Sequence, residues 1–567
     1  MQTFRLHTLS LTVFSTLLLT ACGGGNSSNA TTEKQVQKPE VKQGVKSLKT
    51  GTLLEPATAF KTLTAEQIKQ ASEEIEKNAA GAIGAPKCGV SVQYMHYDTL
   101  DAKGQPTDAT GAVFVPTGND PSCQGDRPVV LHAHGTAVQQ NFNFAEVGNK
   151  TNEAGLRATS MANIFAGQGF IVIAPNYAGY DKSKLNYHPY LNADQQSREM
   201  GDALKAGREV LAKLSNTKVK DNGKLFLTGY SQGGHVALAT ARYFEKIKEP
   251  VTAIMPMSGP YAMEAFGDVV FGGNVMLGGT IFAPLMARSY QEQFGNIYQK
   301  PSDIFASSNA DDVVGMLPTR LDLQKDLIQK GKLPLLALFQ NHTGNAELDA
   351  VSPANPKFGF GFDKANYLIS TPFRVKYLAD MKANPDWAIQ YFTDIQNGRA
   401  SSIVPLVASK PEHGLRKALK ENDLRSFLPQ APTVLCGGNQ DPTVFFDVNT
   451  TLTHGIWKGL RGKTPGYQFG MIDMDISNQA TRQRDVYATH GLVTVSDNAL
   501  KTQAAAMQLA FSQDIGALAK NTVAFAMKNG KTEEQAKQLA AQAVAAKYHS
   551  TLAPYCMATA RTFFQQF

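Results

Sequence analysis

The chain has 567 residues, 43% hydrophobic and 18% charged, so it can bury a large core and is not a disordered polymer. Its 48 Gly and 27 Pro are near background usage, which excludes a fibrous repeat. The formal charge of +7 is spread along the sequence with no Lys/Arg run, which sets nucleic-acid binding aside.

At the N-terminus, Arg5 precedes a mostly apolar stretch from Leu9 to Thr20. About a dozen residues are too few for a bilayer core, which needs roughly 20, so this reads as an export signal. The stretch ends in Leu19-Thr20-Ala21-Cys22, which resembles a bacterial lipobox. The resemblance implies that residues 1–21 are removed and that Cys22 is lipidated. Gly23 follows instead of Asp, so the expected location is the outer membrane, on its periplasmic or surface face. An ordinary secretory signal with a chance Cys is the alternative. Residues 22–60, rich in Gly, Ser, Asn, Thr, Lys and Gln up to about residue 50, read as a flexible tether, and 61–567 as the folded domain.

Four cysteines then remain, Cys88, Cys123, Cys436 and Cys556. Three pairings are open in an oxidising compartment. Cys88–Cys123 with Cys436–Cys556 is preferred, because the first two flank one short β segment; four buried thiols are the alternative. Val90–Tyr97 and Gly111–Val115 read as strands joined by a turn around Lys103-Gly104-Gln105-Pro106. A short apolar strand, Val129–Ala133, ends in His134-Gly135. Helical and strand patterns then alternate: a helix at Ala158–Ala166, a strand at Phe170–Pro175, and a helix at Glu199–Leu214. A strand at Lys224–Thr228, a helix at Gln232–Lys246 and a strand at Val251–Met257 follow. Such alternation predicts a mostly parallel sheet with helices on both faces. It stops over residues 262–429, which read as a helical cap inserted into one α/β domain. Strands resume at Pro432–Cys436 and Gly466–Met474, and residues 498–548 are helical.

Gly229-Tyr230-Ser231-Gln232-Gly233 lies between an apolar strand and an Ala-rich helix. The two glycines allow a sharp reversal that exposes the Ser hydroxyl at the strand's C-terminal end, beside a helix N-terminus. This strand–elbow–helix resembles the α/β-hydrolase superfamily, over about residues 88–500. The resemblance implies a catalytic Ser, acid and His in that chain order. Ser231 is then the nucleophile, and Asp441, just past the strand at Cys436, the acid, with Asp447 in reserve. Among His454, His490 and His549, His490 is chosen as base because it follows the expected last strand. The implied oxyanion hole comprises the amide of Gln232 and, from the His134-Gly135-Thr136 loop, that of Thr136. Tyr177, in the loop after the 170–175 strand, either borders the site or is a packed aromatic.

His132 and His134 share a strand face, but no third ligand sits at metal-site spacing, so neither a metal nor a cofactor is expected. Met286, Phe294 and Phe305 of the cap read as core. The strand pair before His-Gly-Thr looks similar to secretory lipases and bacterial esterases. Together these features imply a serine carboxylic-ester hydrolase that works through an acyl-enzyme on small-molecule or lipid esters. A serine peptidase of the same fold and a catalytically inert binding lipoprotein are the alternatives. Oligomeric state is left open.

Overall fold

The computed structural model describes residues 50–75, 83–306, 310–352, 360–388, 407, 410–461, 466–477, 486–492 and 497–567. Cys22, the signal and most of the tether lie outside the described residues.

Ten strands form one sheet in the order β1-β2-β3-β5-β4-β6-β7-β10-β11-β12. Three of them, β1 (Thr58–Leu63), β2 (Gly89–Leu100) and β3 (Pro106–Thr117), make an antiparallel margin. From β5 (Ile171–Pro175) through β4 (Gly125–Ala133), β6 (Val219–Tyr230), β7 (Ala253–Met257) and β10 (Thr433–Gly437) to β11 (Phe469–Asp473), neighbours run parallel. These strands read as continuous apolar runs for a physical reason: every residue of β5, β7, β10 and β11 is buried, so no face is left for polar alternation. The last strand, β12 (Tyr487–His490), reverses direction against β11.

The crossovers are helical. They include α1 (Ala65–Ile75), α2 (Glu153–Ile164), α3 (Ala193–Lys213) and α4 (Gln232–Ile247). Asn152 and Asn192 cap α2 and α3 by accepting from backbone amides of the first turn. The expected α/β-hydrolase architecture, a mostly parallel sheet with helices packed on it, is what the chain builds.

Between β7 and β10 the chain leaves the sheet and forms α5 (Met263–Phe271), α6 (Gly279–Phe294), α7 (Thr371–Ala383) and α8 (Gly414–Glu421). Two-residue strands β8 (Phe339–Gln340) and β9 (Phe362–Asp363) pair within it. The insertion has its own apolar core, in which Phe305 and Tyr290 are buried and Phe294 half-buried. Two buried guanidinium groups cross-link its helices. Arg416 on α8 meets Asp268 of α5 at 2.9 Å and Asp380 of α7 at 3.0 Å. Arg425 meets Asp386 at 2.6 Å and Asp423 at 2.7 Å.

After β10 come α9 (Leu452–Arg461) and, at the C-terminus, the hairpin of α10 (Asp497–Lys528) and α11 (Glu533–Phe564). Both preferred disulfides are present, Cys88–Cys123 and Cys436–Cys556; the second ties α11 to β10.

One boundary moves. The tether was expected to run to residue 60, but residues 50–60 are docked on the domain. The amides of Gly51 and Leu54 donate to the carbonyls of Asp98 and His96 at 3.0 and 2.9 Å, and β1 adds to the edge of β2. An open sheet edge offers unpaired backbone groups, and this segment satisfies them.

Candidate active site

The site begins where β6 ends. Ser231 has φ 62° and ψ −125°, a strained conformation for a residue with a side chain. Its amide donates to the Met257 carbonyl at 2.9 Å, which pins the turn to β7. The flanking glycines are required by space. A Cβ on Gly229 would lie 2.3 Å from the Gly233 oxygen, and one on Gly233 would lie 2.0 Å from the Ala133 oxygen. The chain then enters α4 at Gln232, whose backbone amide has no hydrogen-bond partner among the described residues.

Asp441 follows β10 in a tight turn and its side chain is fully buried. Oδ1 accepts from the amides of Thr443 and Val444 at 2.8 and 3.2 Å. Oδ2 lies 2.5 Å from Nδ1 of His549, on α11. A carboxylate can only accept, so the Nδ1 proton stays on the ring and the Nε2 lone pair is left free. That Nε2 is buried and has no hydrogen-bond partner among the described residues, and His549 and Ser231 line the same cavity.

The imidazole beside Asp441 is therefore His549, and His490 is displaced from the expected role by topology. Because β12 runs antiparallel to β11, its last residue, His490, pairs with Phe469, the first residue of β11. Phe469 in turn pairs with Thr433, the first residue of β10. His490 thus sits at the opposite end of the strands from Asp441, stacked on the Phe469 ring at 4.9 Å. His454 is on α9, where burial pushes its ring down to about 4. The reserve acid Asp447 accepts from Thr451 Oγ1 within its own turn.

The loop after β4 runs beside Ser231: a Cβ on Gly135 would come within 3.3 Å of Ser231 Cβ. Thr136 lines the cavity with Ser231 and His549, and its hydroxyl lies 3.0 Å from that of Tyr190. His134 is packed under this loop, stacked on Phe142 at 4.3 Å and Tyr177 at 4.0 Å. Burial holds its ring well below the usual histidine range. Tyr177 is thus a packed support, donating from its hydroxyl to the His134 carbonyl at 3.1 Å. His132 is likewise neutral, pushed down to about 3 by burial.

Two supports carried no sequence signal. His188 Nε2 lies 2.7 Å from Gln232 Nε2, and its Nδ1 3.3 Å from the Ala178 carbonyl. Burial lowers His188 to about 3, so the neutral ring donates from Nδ1 and accepts from Gln232. Arg157 and Glu153, on α2, bond to the 135–139 loop.

Ser231 faces two spaces of different character. One runs into the insertion and is lined by Met263, Phe266, Val270, Phe282, Met286 and Leu419, with almost no polar surface. Met286, expected in the core, is therefore a wall of this cavity. The other is wider and mixed, with Thr136, Arg157, Ser160, Lys547 and His549 beside Leu156, Ile281, Phe282 and Met557.

A family model described as the prolyl oligopeptidase family matches residues 157–345, a segment that includes Ser231 but neither Asp441 nor His549. No relative was found among curated proteins. Among solved structures, the chain is similar to the rice cell wall degrading esterase LipA from Xanthomonas oryzae. The identity is 25% and the TM-score 0.56, over 76% of this chain and 93% of that one. A ligand-bound form of the same esterase matches equally well, with 25% identity and a TM-score of 0.56 over the same shares. A putative hydrolase from Legionella pneumophila matches at 18% identity and a TM-score of 0.48, over 72% of this chain and 89% of that one. The sheet, the serine elbow and the likeness to LipA agree, and the chain belongs to the α/β-hydrolase superfamily, with its esterase- and lipase-like members.

Proposed function

We propose that the protein is a serine carboxylic-ester hydrolase in which Ser231 is nucleophile, His549 base and Asp441 acid. The observation that carries this reading is the pairing of His549 with the buried Asp441, which leaves a free Nε2 in the same cavity as a serine held on a strained elbow. Ser231 Oγ attacks the ester carbonyl as His549 Nε2 takes its proton. Asp441 holds the ring and stabilises the imidazolium. The amides of Gln232 and Thr136 receive the oxyanion, and two such donors supply several kcal/mol. The imidazolium then protonates the leaving alkoxide, and water cleaves the acyl-enzyme by the same proton path in reverse.

The two spaces assign the halves of the substrate. An apolar acyl chain fits the cavity of the insertion, at about 0.8 kcal/mol per buried methylene, and the alcohol occupies the wider, more polar side. The likeness to an esterase favours ester over peptide. One observation favours a peptidase, the match of residues 157–345 to the prolyl oligopeptidase family. Turnover of p-nitrophenyl esters with short, medium and long acyl chains, set against peptide p-nitroanilides, decides between them. Ester turnover that increases with chain length and vanishes in Ser231→Ala is expected. Anilide cleavage without ester turnover would overturn the ester reading.

The lipobox-like Leu19-Thr20-Ala21-Cys22 supports a lipid anchor at Cys22 in the cell envelope, most simply at the outer membrane. Cys22→Ser is expected to move the protein from the membrane fraction to the soluble one. An unchanged distribution would contradict the anchor.

A further inference from the structure

Among the described residues, every carbonyl of the 135–140 segment is hydrogen-bonded, while three of its amides are not. Arg157 donates through one nitrogen to the Gly135 carbonyl and through another to the Thr136 carbonyl, each at 2.8 Å. Tyr180 donates to the Ala137 carbonyl at 2.7 Å, and the Thr319 amide to the Val138 carbonyl at 2.8 Å. On the donor side, the amides of Val138 and Gln139 reach Glu153 Oε2 at 3.0 and 3.3 Å. The Gln140 amide reaches the Thr319 carbonyl at 2.8 Å. The amides of Gly135, Thr136 and Ala137 are left without a hydrogen-bond partner among the described residues.

Arg157 and Glu153 are also paired with each other at 2.9 Å, one helical turn apart on α2, and the guanidinium lies over the Phe142 ring. A guanidinium is a planar fork, well matched to two successive carbonyls. A trans peptide directs its C=O and N–H to opposite sides. Once Arg157 holds the Gly135 oxygen, the Thr136 N–H must point away from it. Flipping that peptide would break the Arg157 bond and bring a carbonyl oxygen where the oxyanion has to sit.

We propose that the Arg157–Glu153 pair is a positioning clamp that keeps the Thr136 peptide in its donating orientation, so that the oxyanion hole is preformed. This rests on the ester-hydrolase reading above. Arg157 lines the wider space, but its role in this proposal is exerted through the loop and not on the reacting atoms.

The test uses Arg157→Gln, Arg157→Lys and Glu153→Gln, with a neutral p-nitrophenyl ester as substrate and a boronic acid that forms an anionic tetrahedral adduct on Ser231. Arg157→Gln is expected to lower kcat by about 10- to 100-fold, the range expected for weakening one oxyanion donor, with KM within about twofold. Affinity for the boronic acid should fall by a similar factor. Arg157→Lys should recover part of both, and the double variant Arg157→Gln/Glu153→Gln should be little worse than Arg157→Gln, because the two act as a unit. A rise in KM with kcat intact would overturn the proposal and make Arg157 a substrate contact. A lower Tm with unchanged kcat and boronate affinity would overturn it in favour of a structural role. If Arg157→Gln does not fold, the Lys and Glu153→Gln variants carry the same comparison. Failure of the ester reading is seen separately, as a wild-type protein that neither turns over esters nor reacts with a fluorophosphonate at Ser231.

Discussion

A buried carboxylate that accepts from two backbone amides and one imidazole has its orientation set before any substrate arrives. Asp441→Asn keeps the volume but places an amide NH₂ where Oδ2 faces His549 Nδ1. The ring would then accept at Nδ1 and carry its proton on Nε2, the wrong tautomer for a base. The expected loss in kcat is on the order of 10³- to 10⁴-fold with little change in Tm, read by ester turnover and thermal melting. At this scale the positions of Ser231 and Asp441 were legible, because each lies directly beyond an apolar strand in a turn with few alternatives. The histidine beside Asp441 was not, since placing His490 required knowing that β12 reverses direction. A usable signal did exist. His549 lies seven residues, about two helical turns, before Cys556, and Asp441 lies five residues after Cys436. Pairing those cysteines brings the histidine to the acid. Arg157 and His188 left no such trace, because their roles depend on backbone groups distant in sequence.

Among the elements, the C-terminal helix α11 has the most exacting task, since it brings His549 to Asp441 from the end of the chain. Three attachments hold it near the site. Cys556 is bonded to Cys436 of β10, Tyr548 donates to Asp475 at 2.6 Å, and Tyr230 donates to the His549 carbonyl at 2.6 Å. Cutting the first by Cys436→Ala/Cys556→Ala opens a closure of 120 residues, worth up to about 5 kcal/mol through the unfolded state. It should also lower kcat, because α11 gains freedom relative to Asp441. Cys88→Ala/Cys123→Ala, at the far margin of the sheet, should lower Tm alone. Equal kcat in the two double variants would contradict a positioning role for Cys436–Cys556. The insertion was recognisable in the sequence as a break in strand–helix alternation. Its apolar cavity was not, because a lining Met and a core Met have the same local pattern.

For the whole molecule, buried histidines set the response to acid. Burial lowers His132 and His188 to about 3, and His235, His413 and His454 to about 4. In the unfolded chain they titrate near 6.5, so between about pH 6.5 and 4 the unfolded state binds more protons. Stability therefore rises with pH across this window and is lost as pH falls through it. His132, His188 and His235, the most buried, each contribute up to about 1.4 kcal/mol per pH unit. Burial also raises Asp202 to about 6 and Glu199 above the usual range, and these oppose the trend because the unfolded state gives up their protons first. Asp268, Asp423 and Glu245 are raised as well, and His134 is held low with the other rings. The histidines, which respond first as pH falls, set the net loss expected toward acid. Denaturation midpoints measured from pH 7 to 4 should fall steadily, and a flat profile would contradict the neutral burial of these rings. The fold at this scale was legible from hydrophobic runs alone, since a sheet covered on both faces leaves little choice of pattern. The docking of residues 50–60 was not, because edge pairing is made by backbone groups and is indifferent to side-chain composition.

The most direct test compares His549→Ala with His490→Ala in the folded protein, by kcat on a p-nitrophenyl ester and by the rate of fluorophosphonate attachment to Ser231. His549→Ala should lose at least about 10³-fold in both, while His490→Ala stays within about twofold of wild type. Full activity in His549→Ala, or its loss in His490→Ala alone, would contradict the assignment of the Ser231–His549–Asp441 site.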